Sequence, residues 1–136
     1  MNLVLSMIDM HPLKTGSVDP AVLAACIQAC FDCAQTCTAC ADACLSEESP
    51  ADLRDCIRMN LTCADICLTT GRVLSRLESD RTVLIALLEA CRAACAACAE
   101  ECEKHAGHHA HCRVCAGQCR RCEEACADLL AALQDA

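Results

Sequence analysis

The sequence has almost no aromatic side chains. Among its 136 residues there is no Trp and no Tyr, and Phe31 is the single Phe. Because aromatic side chains usually supply much of a domain core, this composition disfavours an ordinary hydrophobic domain. Glycine and proline are also scarce, at four and three residues, and this disfavours a loop-rich disulfide scaffold, which needs many turns.

Excess positive charge and long charge-free stretches are also lacking. The formal net charge is −8, so we expect neither a nucleic acid nor an anionic membrane as partner. The most apolar stretch, residues 82–99, contains Glu89 and Arg92, and on this ground we exclude a transmembrane helix. The N-terminal segment lacks the positive region of a signal peptide, and Asp9 interrupts its apolar run. We therefore expect a cytoplasmic protein.

Cysteine is what the chain has in abundance, with 18 residues. Thiols stay reduced in the cytosol, so this number indicates metal or redox chemistry rather than disulfides. No nucleophile–base pair and no paired carboxylates of a cleft are recognisable, so we do not expect an enzyme.

Capping residues and breakers predict an all-α protein. Asp19-Pro20 and Ser49-Pro50 each combine a helix N-cap with a first-turn proline, Ser79-Asp80 caps a third helix, and the Gly107 region breaks the chain. The four long helices are predicted at about residues 20–45, 50–77, 80–105 and 108–133. Since their connections are short, we expect an antiparallel up-down four-helix bundle over residues 19–136. Residues 1–18 are predicted as a short extra N-terminal helix and a linker.

The cysteines recur at alternating steps of three and four residues, the spacing of inward-facing positions in a helical bundle. We therefore predict a cysteine-lined core and take all 18 as candidate metal ligands: Cys26, Cys30, Cys33, Cys37, Cys40, Cys44, Cys56, Cys63, Cys67, Cys91, Cys95, Cys98, Cys102, Cys112, Cys115, Cys119, Cys122 and Cys126. Most can be grouped as C-x-x-x-C pairs, which leave only Cys56 and Cys112. Thiols four residues apart on one helix can bracket a metal ion, whereas a disulfide fits badly there.

Charge balance favours Cu(I) among the metals that soft thiolates select. Exchanging each buried thiol proton for one monovalent ion leaves the interior neutral, whereas a divalent ion with four thiolates leaves a net charge of about −2 in a low-dielectric core. With so many thiolates we expect multiple Cu(I) ions per chain, in chains or small clusters. The alternatives are an iron–sulfur electron-transfer or redox protein and a zinc or cadmium buffer on the same bundle.

The two ends of the predicted bundle differ. Leucines and valines close one end, whereas His105, His108 and His111 continue the cysteine pattern at the other end, which we call the mouth. Asp52 and Met59 are expected nearby. We interpret these three histidines as the site where Cu(I) enters before it passes to stronger thiolate sites. The alternative is a solvated turn.

This pattern closely resembles the bacterial copper storage proteins, specifically their cytosolic branch, over about residues 20–134. The resemblance implies copper storage by the inward cysteines, without catalysis, and assembly into a homotetramer. A copper chaperone or an efflux donor or acceptor is then the candidate protein partner. The second helix departs from a full cysteine stripe, since Met59 and Asn60 stand where a cysteine could sit. The ligand set near the mouth is least defined there.

Overall fold

The computed structural model describes residues 2–135, and every regular element in that range is helical. A short helix α1 (Leu3–Met10) precedes four long helices: α2 (Pro20–Leu45), α3 (Arg54–Leu74), α4 (Arg81–Glu103) and α5 (Ala110–Asp135). The predicted all-α bundle with an extra N-terminal helix is therefore confirmed.

The capping residues determine where several helices begin. The carboxylate of Asp19 accepts a hydrogen bond from the backbone N–H of Ala21 at 2.9 Å, and that of Asp80 accepts one from Val83 at 3.1 Å. The predicted caps of the first and third long helices are thus present. The second long helix differs from the prediction, because Pro50–Leu53 form a 3-10 helix before α3 begins at Arg54. Ser49 makes no side-chain capping hydrogen bond, and 3-10 turns are frequent at the N-termini of α-helices.

The four long helices form a ring in which each packs against two neighbours. Helix α2 packs against α3 and α5, and α4 packs against the same two helices. Consecutive helices are antiparallel since the connections between them are short. Helix α1 lies on α2 and buries Ile8 against the bundle.

Leucines close the bundle at the end opposite the mouth. Leu74, Leu88 and Leu129 are each at most 2% exposed. Val83, which the sequence suggested for this apolar end, is 58% exposed instead. It lies in the first turn of α4, beyond the point where the four helices enclose a core.

Helices α2 and α4 are long and apolar enough to cross a membrane by length and composition alone. Length and composition alone therefore do not test the expected absence of a transmembrane helix, which stays a prediction. Core helices of soluble proteins pass the same test. In the structure both helices bury their cysteines inside one bundle.

Candidate metal centre

All 18 cysteines are buried and are free thiols. Seventeen of them are 0% exposed, and Cys40 is 2% exposed. The predicted inward orientation of the cysteine stripe is therefore confirmed. The core of the bundle is accordingly lined with sulfur from the leucine-filled end to the mouth.

Cysteines of α2 and α5 face each other in a regular ladder. The antiparallel register of the two helices brings five pairs of Sγ atoms to 3.7–4.0 Å: Cys26–Cys126, Cys30–Cys122, Cys33–Cys119, Cys37–Cys115 and Cys40–Cys112. Each step of three or four residues up α2 is matched by an equal step down α5. The ladder therefore follows from two stripes of the same period packed in opposite directions.

Helices α3 and α4 form a second ladder, with one rung that is not a cysteine pair. Its sulfur rungs are Cys56–Cys102, Cys63–Cys95 and Cys67–Cys91, at 3.7–3.9 Å. Between the first two, Asn60 faces Cys98, with its Oδ1 3.1 Å from Sγ. Asn60 thus occupies the position of a cysteine in this ladder.

The side chain of Asn60 is fully buried, at 0% exposure, among thiols of two other helices. Its Oδ1 accepts contacts from Cys98, Cys115 and Cys102 at 3.1, 3.2 and 3.5 Å, and its Nδ2 donates to Cys56 Sγ at 3.7 Å. Sequence reasoning left Asn60 as a gap in the stripe. The structure shows a polar side chain that is satisfied entirely by the surrounding thiols.

Contacts between the ladders make the sulfur atoms one continuous network. Cys33 lies 4.0 Å from Cys63, and Cys37 lies 3.9 Å from Cys98. Along a single helix, the C-x-x-x-C pairs Cys33/Cys37 and Cys63/Cys67 are 3.7 and 3.8 Å apart. The thiol of Cys37 therefore has neighbours on its own helix, on α4 and on α5.

These distances fit metal coordination with little rearrangement. With a metal–sulfur bond of about 2.3 Å, sulfur atoms lie about 4.6 Å apart in linear, about 4.0 Å in trigonal and about 3.8 Å in tetrahedral geometry. Groups of four thiols whose sulfur atoms all lie within 4.8 Å recur along the core. Cys33, Cys37, Cys119 and Cys122 each belong to two such groups. A filled core would therefore share sulfur atoms between neighbouring ions.

One histidine joins the sulfur network at the mouth. His111 Nδ1 lies 3.4 Å from Cys40 Sγ and 3.6 Å from Cys112 Sγ, and these residues form a potential four-ligand group with Cys44. His111 is half-buried, so its ring reaches both the sulfur core and the surface. The sequence predicted this histidine at the mouth.

The other histidines near the mouth have different surroundings. His105 Nε2 lies 3.0 Å from a carboxylate oxygen of Glu101. His108 is exposed on the turn before α5. His109 lies beside His111, with ring centroids 5.5 Å apart. The roles of His105 and His108 as ligands stay predictions.

Glu47 is the functional candidate that sequence reasoning missed at this end. Its Oε2 accepts a hydrogen bond from His111 Nε2 at 2.9 Å and lies 2.7 Å from His109 Nδ1. It lies in the loop after α2, outside any periodic pattern, so the sequence offered no signal for it. Asp52, by contrast, is exposed, and Met59 is half-buried.

The electrostatics of the mouth follow from burial and hydrogen bonding. The hydrogen bond from His111 holds the pKa of Glu47 below its usual range. Burial lowers the pKa of His111, but the contacts to Cys40 and Glu47 raise it by more. Burial raises the pKa of the Cys44 thiol to about 11, and also raises that of Cys112. The thiols of Cys44 and Cys112 are therefore neutral at physiological pH, and metal binding must displace their protons.

A helical bundle whose interior is filled with free, mutually contacting thiols is a container for several ions of a thiophilic metal. The family model described as Csp, copper storage protein, matches residues 20–131. The chain belongs to this family.

Solved and curated relatives agree with this family. The copper storage protein Ccsp from Streptomyces lividans, loaded with 10 copper equivalents, is 53% identical, with a TM-score of 0.92 over 94% of this chain and 98% of its own. A cytosolic copper storage protein from Streptomyces lividans with five coppers is 57% identical, with a TM-score of 0.80 over 82% and 93% of the two chains. The uncharacterized cysteine-rich protein YhjQ of Bacillus subtilis (strain 168) is 37% identical over 107 residues, which are 79% of this chain and 94% of that protein.

Proposed function

We propose that this protein stores copper by binding many Cu(I) ions to the cysteine thiolates inside its bundle. The observation that carries the proposal is the pair of buried sulfur ladders, in which neighbouring four-thiol groups share cysteines. Sharing allows the number of bound ions to approach the number of thiols. A protein built for a single cluster needs only about four cysteines.

Charge favours Cu(I) over a divalent ion. The buried polar side chains among residues 2–135 are Asn60, Thr70 and Gln118, and all three are uncharged. No buried cation is therefore available in this range to balance the net charge of about −2 that each divalent ion with four unshared thiolates would leave. One Cu(I) per displaced proton leaves the core neutral. The same argument disfavours the zinc or cadmium buffer.

We further propose that Cu(I) enters at the mouth, where His111 is in contact with Cys40 and Cys112. Imidazole nitrogen binds Cu(I) more weakly than thiolate does, so an ion held there can move on to the sulfur ladders. His105 and His108 are proposed as additional, outer ligands. This role rests on their position in the turn around Gly107.

The remaining proposals concern the location of the protein, the absence of catalysis, its assembly and its protein partners. A solved relative is described as cytosolic, and we propose a cytoplasmic location for this chain. We propose storage without catalysis, assembly into a homotetramer, and exchange of copper with a chaperone or an efflux protein. Light scattering coupled to gel filtration tests the assembly. It should give four times the 14.4 kDa of one chain.

An anaerobic Cu(I) titration against a competing chelator tests the storage function. We expect saturation near the 18 ions that would match the thiols one to one. Saturation at about one to four ions would contradict storage and favour a single cluster or a zinc-type site. A visible charge-transfer spectrum after iron–sulfur reconstitution would favour the redox alternative. A variant with Cys33 and Cys37 changed to Ser is the control, and its capacity should fall.

The proposed path of entrance is tested by kinetics. Replacement of His105, His108 and His111 by Phe should slow Cu(I) uptake and leave most of the final capacity intact. Unchanged uptake kinetics would show that copper does not enter through these histidines. Single variants then separate His111, which touches the sulfur network, from the two outer histidines.

A further inference from the structure

Glu47 links two histidines of the mouth, His109 and His111. A single oxygen, Oε2, lies 2.7 Å from His109 Nδ1 and 2.9 Å from His111 Nε2. Glu47 follows α2, whereas the histidines lie just before and in the first turn of α5, so these contacts cross between two sides of the mouth. The side chain is 33% exposed, which places it on the rim rather than in the core.

The chemistry of a carboxylate decides where the proton of His111 lies. An ionised carboxylate only accepts hydrogen bonds, so Nε2 of His111, which is bonded to Glu47, must carry a hydrogen. With Nε2 protonated, a neutral His111 presents its lone pair on Nδ1. That atom is the one 3.4 Å from Cys40 Sγ and 3.6 Å from Cys112 Sγ.

We propose that Glu47 is a positioning residue for copper uptake, which orients the ring of His111 so that its unprotonated Nδ1 faces the first sulfur rung, Cys40–Cys112. This inference rests on the proposed function of the mouth. A carboxylate behind a metal-binding imidazole fixes both ring orientation and tautomer and increases the basicity of the ligand nitrogen. Without Glu47 the imidazole ring of His111 can flip about its Cβ–Cγ bond, which would direct a ring C–H instead of Nδ1 at the sulfur atoms of Cys40 and Cys112.

Variants of Glu47 and of its neighbour Glu48 separate orientation from charge. Glu48 lies in the same loop and is exposed, so Glu48→Gln is a matched control for the loss of one negative charge. In Glu47→Gln the amide oxygen can still accept one imidazole N–H, whereas Glu47→Ala accepts none. Partners of this kind typically contribute about 10-fold to 100-fold to metal binding or activity.

The first measurement is the initial rate of Cu(I) transfer from a weak chelator, followed anaerobically by stopped flow. We expect Glu47→Ala to be at least about 10-fold slower, with Glu47→Gln within about 3-fold of the unmodified protein and Glu48→Gln unchanged. If Glu47→Gln is as slow as Glu47→Ala, or if Glu47→Ala is not slowed, orientation by Glu47 is refuted.

The second measurement is the pair of imidazole ¹⁵N chemical shifts of His111 in the reduced, metal-free protein above pH 8. They should be widely separated in the unmodified protein, with Nε2 protonated, and should move toward each other in Glu47→Ala. Unchanged shifts would refute the proposal even if uptake slowed. Total capacity is measured on the same samples. A capacity of only a few ions in the unmodified protein would instead refute the storage function, so the two failures are distinguishable.

Discussion

Replacement of Asn60 tests how the core is filled, because this residue is the one non-cysteine rung of the α3–α4 ladder. Asn60→Cys supplies a thiol of nearly the same volume opposite Cys98, between sulfur rungs of 3.7 and 3.9 Å. If each Cu(I) replaces one thiol proton, the added thiol should raise the capacity by about one ion per chain. Asn60→Ala removes the amide without adding a ligand and should not raise it.

The stability of the metal-free protein gives the second part of this prediction. The amide oxygen accepts from three thiols at 3.1–3.5 Å. Thiols are weak hydrogen-bond donors, so each contact should contribute about 0.5 kcal/mol to the free energy of unfolding, and the three together about 1.5 kcal/mol. Asn60→Ala also leaves a void and should lower the free energy of unfolding by about 2–3 kcal/mol. Asn60→Cys keeps the volume and should cost only about 1 kcal/mol.

Two assays check these values under anaerobic, reducing conditions. Native mass spectrometry counts the copper ions bound to each variant, and urea unfolding of the metal-free proteins measures stability. An Asn60→Cys protein with the capacity of Asn60→Ala would refute the reasoning that thiol number sets the number of ions. Equal stability of the two variants would show that neither the void nor the thiol contacts of Asn60 matter.

Three further predictions concern backbone, pH and surface charge. A Cβ on Gly71 would lie 3.0 Å from two ring atoms of Phe31, but that ring borders a cavity of about 270 Å³ and can shift into it. Gly71→Ala should therefore gain part of the helix-propensity difference of about 1 kcal/mol between Gly and Ala and raise the Tm by roughly 2–4 °C. A lower Tm would show that the ring cannot move. Burial raises the pKa of Cys44 from 9.0 to about 11, so this thiol is protonated in the metal-free protein and must lose its proton when it binds metal. The apparent Kd for Cu(I) should therefore rise about tenfold per released proton for each unit by which the pH is lowered. In the metal-free protein the same pKa shift should lower the free energy of unfolding as the pH rises above about 9, since the thiol ionises at lower pH in the unfolded chain than in the folded one. Chelator competition at several pH values measures the Kd, and urea titrations measure the free energy of unfolding. Values that do not change with pH would contradict these predictions. Arg120 pairs with Glu103 and Glu123 at the surface, so Arg120→Ala should change the free energy of unfolding by less than about 1 kcal/mol in urea titrations.

The interior also explains the composition of the chain. A core that is to be filled with metal has no use for large aromatic side chains, and the single one, Phe31, lies outside the sulfur ladders and against Gly71. Gly71 lies within α3, where a glycine is unfavourable for helix formation. In the structure its lack of a side chain accommodates the close approach of the Phe31 ring.

Much of the fold and of the candidate site could be predicted from local patterns. Helix starts follow from caps such as Asp19 and Asp80, whose hydrogen bonds involve residues only two or three positions away. The inward orientation of the cysteines follows from their period, since 3.6 residues per turn place steps of three and four on one face. Helix type, inward face and the number of available thiols were therefore determined by the sequence itself.

The pairing of side chains between helices was decided only by the tertiary structure. Which cysteine faces which depends on the antiparallel register, and the register depends on loop geometry and packing rather than on the period of any one helix. For this reason the ladder contacts of Cys26 with Cys126, the insertion of Asn60 among thiols, and the hydrogen bonds of Glu47 with His111 could not be read from spacing. The contact of Asn60 with Cys98 joins residues 38 positions apart, and the other two contacts join residues farther apart. Only the folded bundle brings them within bonding distance.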